Sequence, residues 1–343
     1  MKKLLNTLYV ITPNRYLSLN GENVVISENK KEIARVPMHN LERIMLFGGT
    51  GASPALMEKC VLNACELVFM SRNGKFQCRA EGEINGNVLL RRTQYRIADN
   101  PEQSLQIAQS IISAKIHNSR RVLERTVCNH PTQIDMVLFQ EKIKLLQDLI
   151  QIISNAKTAD ILRGIEGEAA SAYFSVFNEM VLQQKDIFQF TGRNRRPPLD
   201  RINAMLSFAY TLCTGMCIAG LEAVGLDSYV GFLHTDRPGR RSLALDLVEE
   251  FRAQMCDRFV LTMINNRMIS LEHFEQHEDG EVMLNNCGRS VFLTEWQKRK
   301  ADEIMHPFLN EKVQWGMLPY VQALLLARYM RGDLKCYPAF EWR

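Results

Sequence analysis

The hydrophobic period of this chain changes once, and that change dictates an α+β protein of two domains. Up to about residue 97, apolar side chains alternate with polar ones in short runs: TLYVI, RYLSLNGENVVIS, EIARVPM, RIMLF, LVFMS and KFQCRAEG. Branched and aromatic residues with a period of two mark strands that bury one face. Asn20-Gly21, inside the second run, is a pair that tolerates positive φ and predicts a hairpin. One helix interrupts the pattern, with Ser53 as its N-cap and Pro54 at its first position, ahead of ALMEKCVLNACE.

Beyond IADNPEQS (97–104) the period becomes helical, first in LQIAQSIISAKIHNSRRVLERT and then in QEKIKLLQDLIQIISNA. The expected layout is an N-terminal β-rich domain at 1–97, a linker at 98–104, and a larger all-α domain at 105–343. A length of 343 residues has room for about two domains. Helices are interrupted at TGRNRRPPLD and again after His234.

With 46% hydrophobic and 23% charged residues, the chain can bury real cores, which argues against disorder. A net charge of +4 excludes a polycation, so any surface for nucleic acid must come from locally clustered arginines. The nine cysteines are scattered without a C-x-x-C pair. That pattern predicts free thiols in a reducing cytosol rather than a disulfide framework or zinc ribbon. The N-terminal apolar stretch is broken by Asn6 and Thr7, unlike a signal peptide. No window approaches ~18 uninterrupted apolar residues, so no transmembrane helix and a cytoplasmic location are expected.

Three segments carry chemistry. In HTDRPGRRSLALDLVEEF (234–251) a lone histidine precedes a loop with Arg237, Arg240 and Arg241, and then a helix with Ser242 as N-cap. Leu243, Ala244, Leu247, Val248 and Phe251 share the apolar side of that helix. Asp246, Glu249 and Glu250 crowd the other side within an arc of about 100°. Like charges at this spacing repel, so the face calls for a cation. A solvated acidic face is the plain alternative, but an imidazole and three arginines just upstream favour a site.

In ADILRGIEGEAASAYFSVF the apolar stripe is Ile161, Leu162, Ile165, Ala169 and Tyr173. Glu166 projects within it, which is costly unless the carboxylate meets a partner such as Arg163, Arg201 or a metal. Gly164 and Gly167 weaken this helix and suggest a close approach to its backbone. In FTGRNRRPPLDRINAMLSFAY Arg193, Arg195, Arg196 and Arg201 precede or open an apolar helix. Planar guanidinium groups suit bidentate phosphate contacts, although such loops are often only solubilising.

Carboxylates with one imidazole, flanked by arginines, suit metal-assisted phosphodiester chemistry. Hard Mg²⁺ or Mn²⁺ prefers oxygen, and a single nitrogen ligand leans toward Mn²⁺. The pair His273 and His277 in HFEQH lacks the glutamate that a zinc motif places directly after the first histidine. His39, His117, His130 and His306 are isolated and read as structural or surface residues.

RVPMHNLERIMLFGG, LVFMSRNGKFQCRAEG and GNVLLRRTQYR, followed by LRGIEGEAASAYF, GRNRRPPLDRINAMLSFAYTL and GFLHTDRPGRRSLALDLVEEFR, occur in one order along nearly the whole chain. In this the chain resembles the CRISPR-associated adaptation integrase, the universal first-numbered Cas protein. The resemblance implies metal ligands at Glu166, His234 and Glu249, with Asp246 as a supporting acid. The third ligand is Asp in some members and Glu in others. It implies spacer acquisition by transesterification, in which a prespacer 3′-hydroxyl attacks the leader–repeat junction. Disintegration is the reverse reaction, and endonuclease cleavage follows when water attacks. By the guanidinium chemistry above, Arg193, Arg195, Arg196, Arg237, Arg240 and Arg241 are the residues expected to hold double-stranded DNA. The implied assembly is a homodimer formed through the β-domain, two of which clamp a dimer of the second-numbered Cas protein. Length and wording fit a type I system of subtype I-C, which adds a Cas4-like trimming nuclease. Two rival functions use the same residues: a stand-alone metal-dependent nuclease on branched DNA, and a non-catalytic DNA-binding protein.

Overall fold

Each alternating run ahead of residue 80 is a strand in the computed structural model, which describes residues 7–63, 65–71, 76–82, 88–194, 197–278 and 280–342. The strands are Thr7–Val10 (β1), Arg15–Asn20 (β2), Asn23–Glu28 (β3), Lys31–Pro37 (β4), Arg43–Phe47 (β5), Gly51–Ala52 (β6), Glu66–Met70 (β7) and Phe76–Arg79 (β8). They form two four-stranded sheets with the orders β1-β5-β7-β8 and β4-β3-β2-β6. Asn20 pairs with Asn23 across the expected hairpin, and Gly21 takes a φ of 58° there, in the left-handed region glycine occupies freely. β1, β5 and β7 run parallel, so a crossover must join β5 to β7. Pro54–Leu62 (α1) lies in that connection. Ser53 Oγ accepts its cap hydrogen bond from Leu56 N at 3.2 Å. Leu17, Val24, Ile44, Leu56 and Leu67 are wholly buried in the core of this region.

Ten helices are present among the described residues; after α1 come Val88–Ala98 (α2), Pro101–Asn129 (α3), Met136–Ile152 (α4), Ala159–Ser175 (α5), Arg201–Ala223 (α6), Ser242–Glu249 (α7), Arg258–Asn265 (α8), Asn286–Ala301 (α9) and Leu318–Met330 (α10). Three-residue strands also occur beyond residue 105, at Phe274–Gln276 (β9), Val282–Leu284 (β10), Glu303–Met305 (β11) and Lys312–Gln314 (β12). The C-terminal part is therefore predominantly, not wholly, helical.

The chain divides into two compact units, but not at the polar stretch 97–104. One unit comprises Met1–Asn85, Glu272–Glu275 and Met283–Asp302; the other comprises Gly86–Leu271, Gln276–Val282 and Glu303–Arg343. Two physical reasons move the boundary from the expected linker. First, Asn100 is the N-cap of α3, accepting from Glu102 N and Gln103 N at 3.1 Å. Asn followed by Pro is a helix start as much as a linker signal. Second, α2 belongs to the helical unit. Its wholly buried Gln94 donates to the carbonyls of Asp227 and Val230 and accepts from Asp227 N.

Within the helical unit α6 packs against α7 and α10. By length and composition α6 could cross a membrane, but 61% of its most apolar window is buried in the protein. Ile202, Met205, Leu206, Cys213, Cys217 and Leu221 line its buried surface.

Candidate active site

The three acids of the α7 segment do not share a solvated face. Asp246 and Glu250 are wholly buried and Glu249 nearly so, and each turns to a different set of partners. Ser242 is the first helical residue rather than the cap, and its hydroxyl donates to Thr235 O at 3.2 Å.

Asp246 organises the loop ahead of the helix. Its Oδ2 accepts the N–H groups of Phe232 at 2.6 Å and Leu233 at 3.0 Å, and its Oδ1 accepts that of His234 at 3.0 Å. The same Oδ1 lies 2.7 Å from His234 Nδ1. Charge-assisted bonds of this kind offset the desolvation of a buried carboxylate. Gly231 admits this close approach, since a Cβ there would sit 2.8 Å from Asp246 Oδ2. With Nδ1 committed to the carboxylate, Nε2 of His234 keeps the free lone pair that a metal ligand needs.

Glu249 faces two cations. Arg252 Nη2 lies 2.8 Å from its Oε1 and Lys115 Nζ 2.7 Å from its Oε2. Burial by itself pushes this carboxyl up, but Arg252 and Lys115 outweigh burial and hold it down at about 2, with His234 adding in the same direction. Oε2 is buried and faces the Lys115 ammonium.

Lys115 also ion-pairs with Glu166 Oε1. Glu166 comes from α5, where Leu162, Ile165, Ala169 and Tyr173 are buried as expected but Ile161 is exposed. The apolar stripe is thus narrower than the sequence predicts, and Glu166 lies at its edge with 29% of its side chain exposed. Its partner is neither of the arginines expected. Arg163 pairs with Asp160, and Arg201 Nη1 donates to Ile187 O at 3.1 Å. Nothing within 4 Å would meet a Cβ at Gly164 or Gly167, so no part of the fold approaches that backbone. Sequence reasoning missed Lys115. The available signal was a cation within SIISAKIHNS, where Ile112, Ala114, Ile116 and Asn118 are all buried.

A π-helical turn, Arg252–Asp257, follows α7. It sets Arg252 4.9 Å from the ring centroid of Tyr210, with Arg193 at 5.2 Å from the same ring. Tyr210 donates its hydroxyl to Asp257 Oδ1 at 2.6 Å. Burial pushes the Asp257 carboxyl up to about 6, against the lowering effects of the Tyr210 hydrogen bond and Arg252. Arg193 donates to Asn203 Oδ1, to Asn194 O and, at 3.2 Å, to Ser207 Oγ. A cavity of about 490 Å³ opens here, lined by Lys115, Glu166, Phe174, Arg193, Tyr210 and Arg252 among others.

The remaining arginines differ in their engagement. Arg241 Nη1 donates to Glu222 Oε1 at 2.7 Å and Ser228 Oγ at 3.0 Å, and its guanidinium lies 4.7 Å from the Tyr229 ring. Arg237 is exposed and Arg240 half-buried, in a turn where Arg240 N donates to Arg237 O at 2.9 Å. Arg195 and Arg196 lie outside the described residues.

Among the described residues no three His, Cys, Asp or Glu side chains are grouped closely enough to hold a metal ion. The donor types nevertheless suit a hard divalent cation: two carboxylates and one imidazole held by its other nitrogen. A lysine ammonium already lies between the two carboxylates, so positive charge is favoured at that point.

Glu250 serves a separate network. It accepts from Tyr337 OH at 2.5 Å, Gln322 Nε2 at 2.8 Å and Phe340 N at 2.7 Å. Burial pushes its carboxyl up to about 7 despite these donors.

Residues 8–298 match the family model described as "CRISPR associated protein Cas1". A CRISPR-associated endonuclease Cas1 of Chlorobaculum tepidum is 46% identical over 343 residues, with both chains wholly covered. A casposase solved bound to its integration product superposes with a TM-score of 0.84 at 22% identity, covering 98% of this chain and 94% of that one. A chain of a Cas6-RT-Cas1–Cas2 complex gives a TM-score of 0.81 at 21% identity, covering 99% of this chain and 36% of the larger one.

Proposed function

The chain belongs to the Cas1 family, and from that premise we propose that it joins prespacer 3′-hydroxyl ends to the leader–repeat junction of a CRISPR array by transesterification. One observation supports this most directly. Glu166 from α5 and Glu249 from α7 converge on a single cation beside a histidine held by Asp246, at the edge of a cavity that Arg193 and Arg252 line. In a protein that merely bound DNA the same acids would serve only as ion-pair partners of Lys115 and Arg252, and strand transfer would be absent from the wild type.

In the proposed reaction the prespacer O3′ attacks phosphorus at the junction. A new O3′–P bond forms, the junction's own P–O3′ bond breaks, and the displaced strand leaves with a free 3′-hydroxyl. Glu166, Glu249 and His234 Nε2 would hold Mg²⁺ or Mn²⁺. Bound there, a divalent cation supplies positive charge to the scissile phosphate and lowers the pKa of the attacking hydroxyl. Asp246 fixes the His234 ring and tautomer. Arg237, which is exposed, and Arg240, which is half-buried, would meet DNA phosphates, while Arg193 and Arg252 add positive charge to the cavity wall. Water as nucleophile converts the same arrangement into an endonuclease, and the reverse transfer on branched DNA is disintegration.

The proposed assembly is a homodimer working in the cytoplasm with a dimer of the second-numbered Cas protein. The Cas1–Cas2 complex among the structural neighbours supports that partner. The test is a disintegration assay on branched DNA with Mn²⁺, Mg²⁺ or EDTA, comparing wild type with Glu166→Ala and His234→Ala. Religation should need a divalent cation and disappear in both folded variants. Cleavage without joining would favour a plain nuclease, and full activity in both variants would overturn the site.

A further inference from the structure

Lys115 has no role in the proposed chemistry, yet its ammonium is ion-paired to Glu166 and lies 2.7 Å from Glu249 Oε2. Only 14% of its side chain is exposed, and Glu249 beside it is 5% exposed. A lysine ammonium and a divalent cation would need the same two carboxylates. Two cations a few ångströms apart in a poorly solvated site repel strongly, so the occupants exclude each other.

We propose that Lys115 is a built-in counter-ion that competes with the divalent cation for Glu166 and Glu249, and that metal entry drives its ammonium into the adjoining cavity. The proposal rests on the reading of those two acids as ligands.

Three features fit an exchangeable cation. The ammonium meets two carboxylates at once, Glu166 and, at 2.7 Å, Glu249 Oε2, so a divalent cation placed between the same two acids could take over both contacts. Lysine carries its charge on a flexible four-carbon stem, which can withdraw without moving the backbone. Arg252, by contrast, pairs with the other oxygen of Glu249 and is fixed over the Tyr210 ring, so it can remain while Lys115 leaves. The space into which the ammonium would move is the cavity that Lys115 already lines, whose wall carries the Asp257 carboxyl as well as Arg193 and Arg252. Without metal, Lys115 keeps two carboxylates paired that would otherwise repel each other.

The test measures Mn²⁺ binding to the full-length chain without DNA, following free Mn²⁺ by electron paramagnetic resonance, in wild type, Lys115→Met, Lys115→Gln and Lys115→Arg. The Met and Gln variants should bind Mn²⁺ about tenfold more tightly, equivalent to about 1.4 kcal/mol. Lys115→Arg, which retains the positive charge, should stay within a few-fold of wild type. In parallel thermal melts, the Met variant should melt below wild type without metal and gain more from added Mn²⁺. Lys115→Gln keeps amide donors for both acids and carries the test where the Met variant does not fold. Unchanged or weaker Mn²⁺ binding in Met and Gln variants, with wild type binding measurably, would overturn the competition and leave the metal site intact. No Mn²⁺ binding by any of the four proteins would overturn the metal site and the competition together.

Discussion

A single carboxylate oxygen, Asp246 Oδ1, accepts both the backbone N–H of His234 at 3.0 Å and its ring at Nδ1, 2.7 Å away. Asp246 therefore holds the loop backbone as well as the proposed metal ligand, whereas the hydrogen bonds described for His234 all run to Asp246. The two should separate in a stability measurement. Asp246→Ala strands three backbone N–H groups, those of Phe232 and Leu233 buried and that of His234 half-buried, and should cost about 3 kcal/mol or more. His234→Ala removes a ring that is 22% exposed and should stay within about 1 kcal/mol of wild type. Urea unfolding of both variants checks this, and equal losses would contradict the assignment.

Glu166 and Glu249 should also part company in stability while matching in activity. Removing Glu166 leaves Lys115 paired with Glu249. Removing Glu249 takes that acid from both Lys115 and a half-buried Arg252, a loss that approaches the ~3–5 kcal/mol of a broken buried pair. Glu249→Ala should therefore melt well below Glu166→Ala, although religation is expected to be lost in both. Differential scanning calorimetry on each variant decides it.

Lys300 predicts a pH dependence in the β-rich unit. It is buried, donating to Thr7 Oγ1 at 3.1 Å and Gln297 Oε1 at 3.3 Å. Burial, helped by the nearby Arg43, lowers its pKa to about 7 against the opposing effects of Glu42 and Glu66. An unfolded lysine titrates near 10.4, so between about pH 7 and 10 the unfolded chain binds the extra proton. Stability should therefore rise with pH across that window, by an amount on the order of a few kcal/mol. Below about pH 7 the lysine is charged in both states and its penalty is constant. Lys300→Met should flatten the slope in denaturant midpoints taken at pH 7 and pH 9.5.

The arginines after His234 should divide by partner. Arg237→Ala and Arg240→Ala should each weaken DNA binding uniformly across sequences and reduce the salt slope by about 1. Arg241 is tied to Glu222 and Ser228 and lies over Tyr229. Its alanine variant should lose mainly stability, about 1–2 kcal/mol for a half-buried charged hydrogen bond. Fluorescence anisotropy over a salt series, with a thermal melt of each variant, distinguishes the two kinds of effect.

What could be read from the chain alone followed from the range of the interaction that decides each feature. Strands β1 to β5 were visible because alternation is local, and the cap of α1 was visible because Ser53 and Pro54 are adjacent to the helix they start. Gly51–Ala52, as β6, is too short to show any period. Asn100 and Pro101 announced a boundary correctly, but local chemistry could not say that it separates two helices of one unit. Helical geometry placed Asp246, Glu249 and Glu250 on one side of α7, and burial then separated them by partners that no spacing rule reaches. The acidic side called for a cation; Arg252 and Lys115 are the protein cations that meet Glu249, and Lys115 also meets Glu166 across 51 positions. Such a pairing leaves no periodic trace.

The bonds from Glu250 to Tyr337 and Phe340 span 87 and 90 positions of sequence. During synthesis Glu250 therefore emerges long before the residues that will satisfy its carboxylate exist. At roughly 5–20 residues per second, several seconds separate the making of the acid from the making of its donors. The turn that carries Glu249 cannot settle into its final form in that interval. A nascent chain with most of its helices folded would still carry the Glu250 carboxylate without its Tyr337 and Phe340 donors, one residue away from the proposed ligand Glu249.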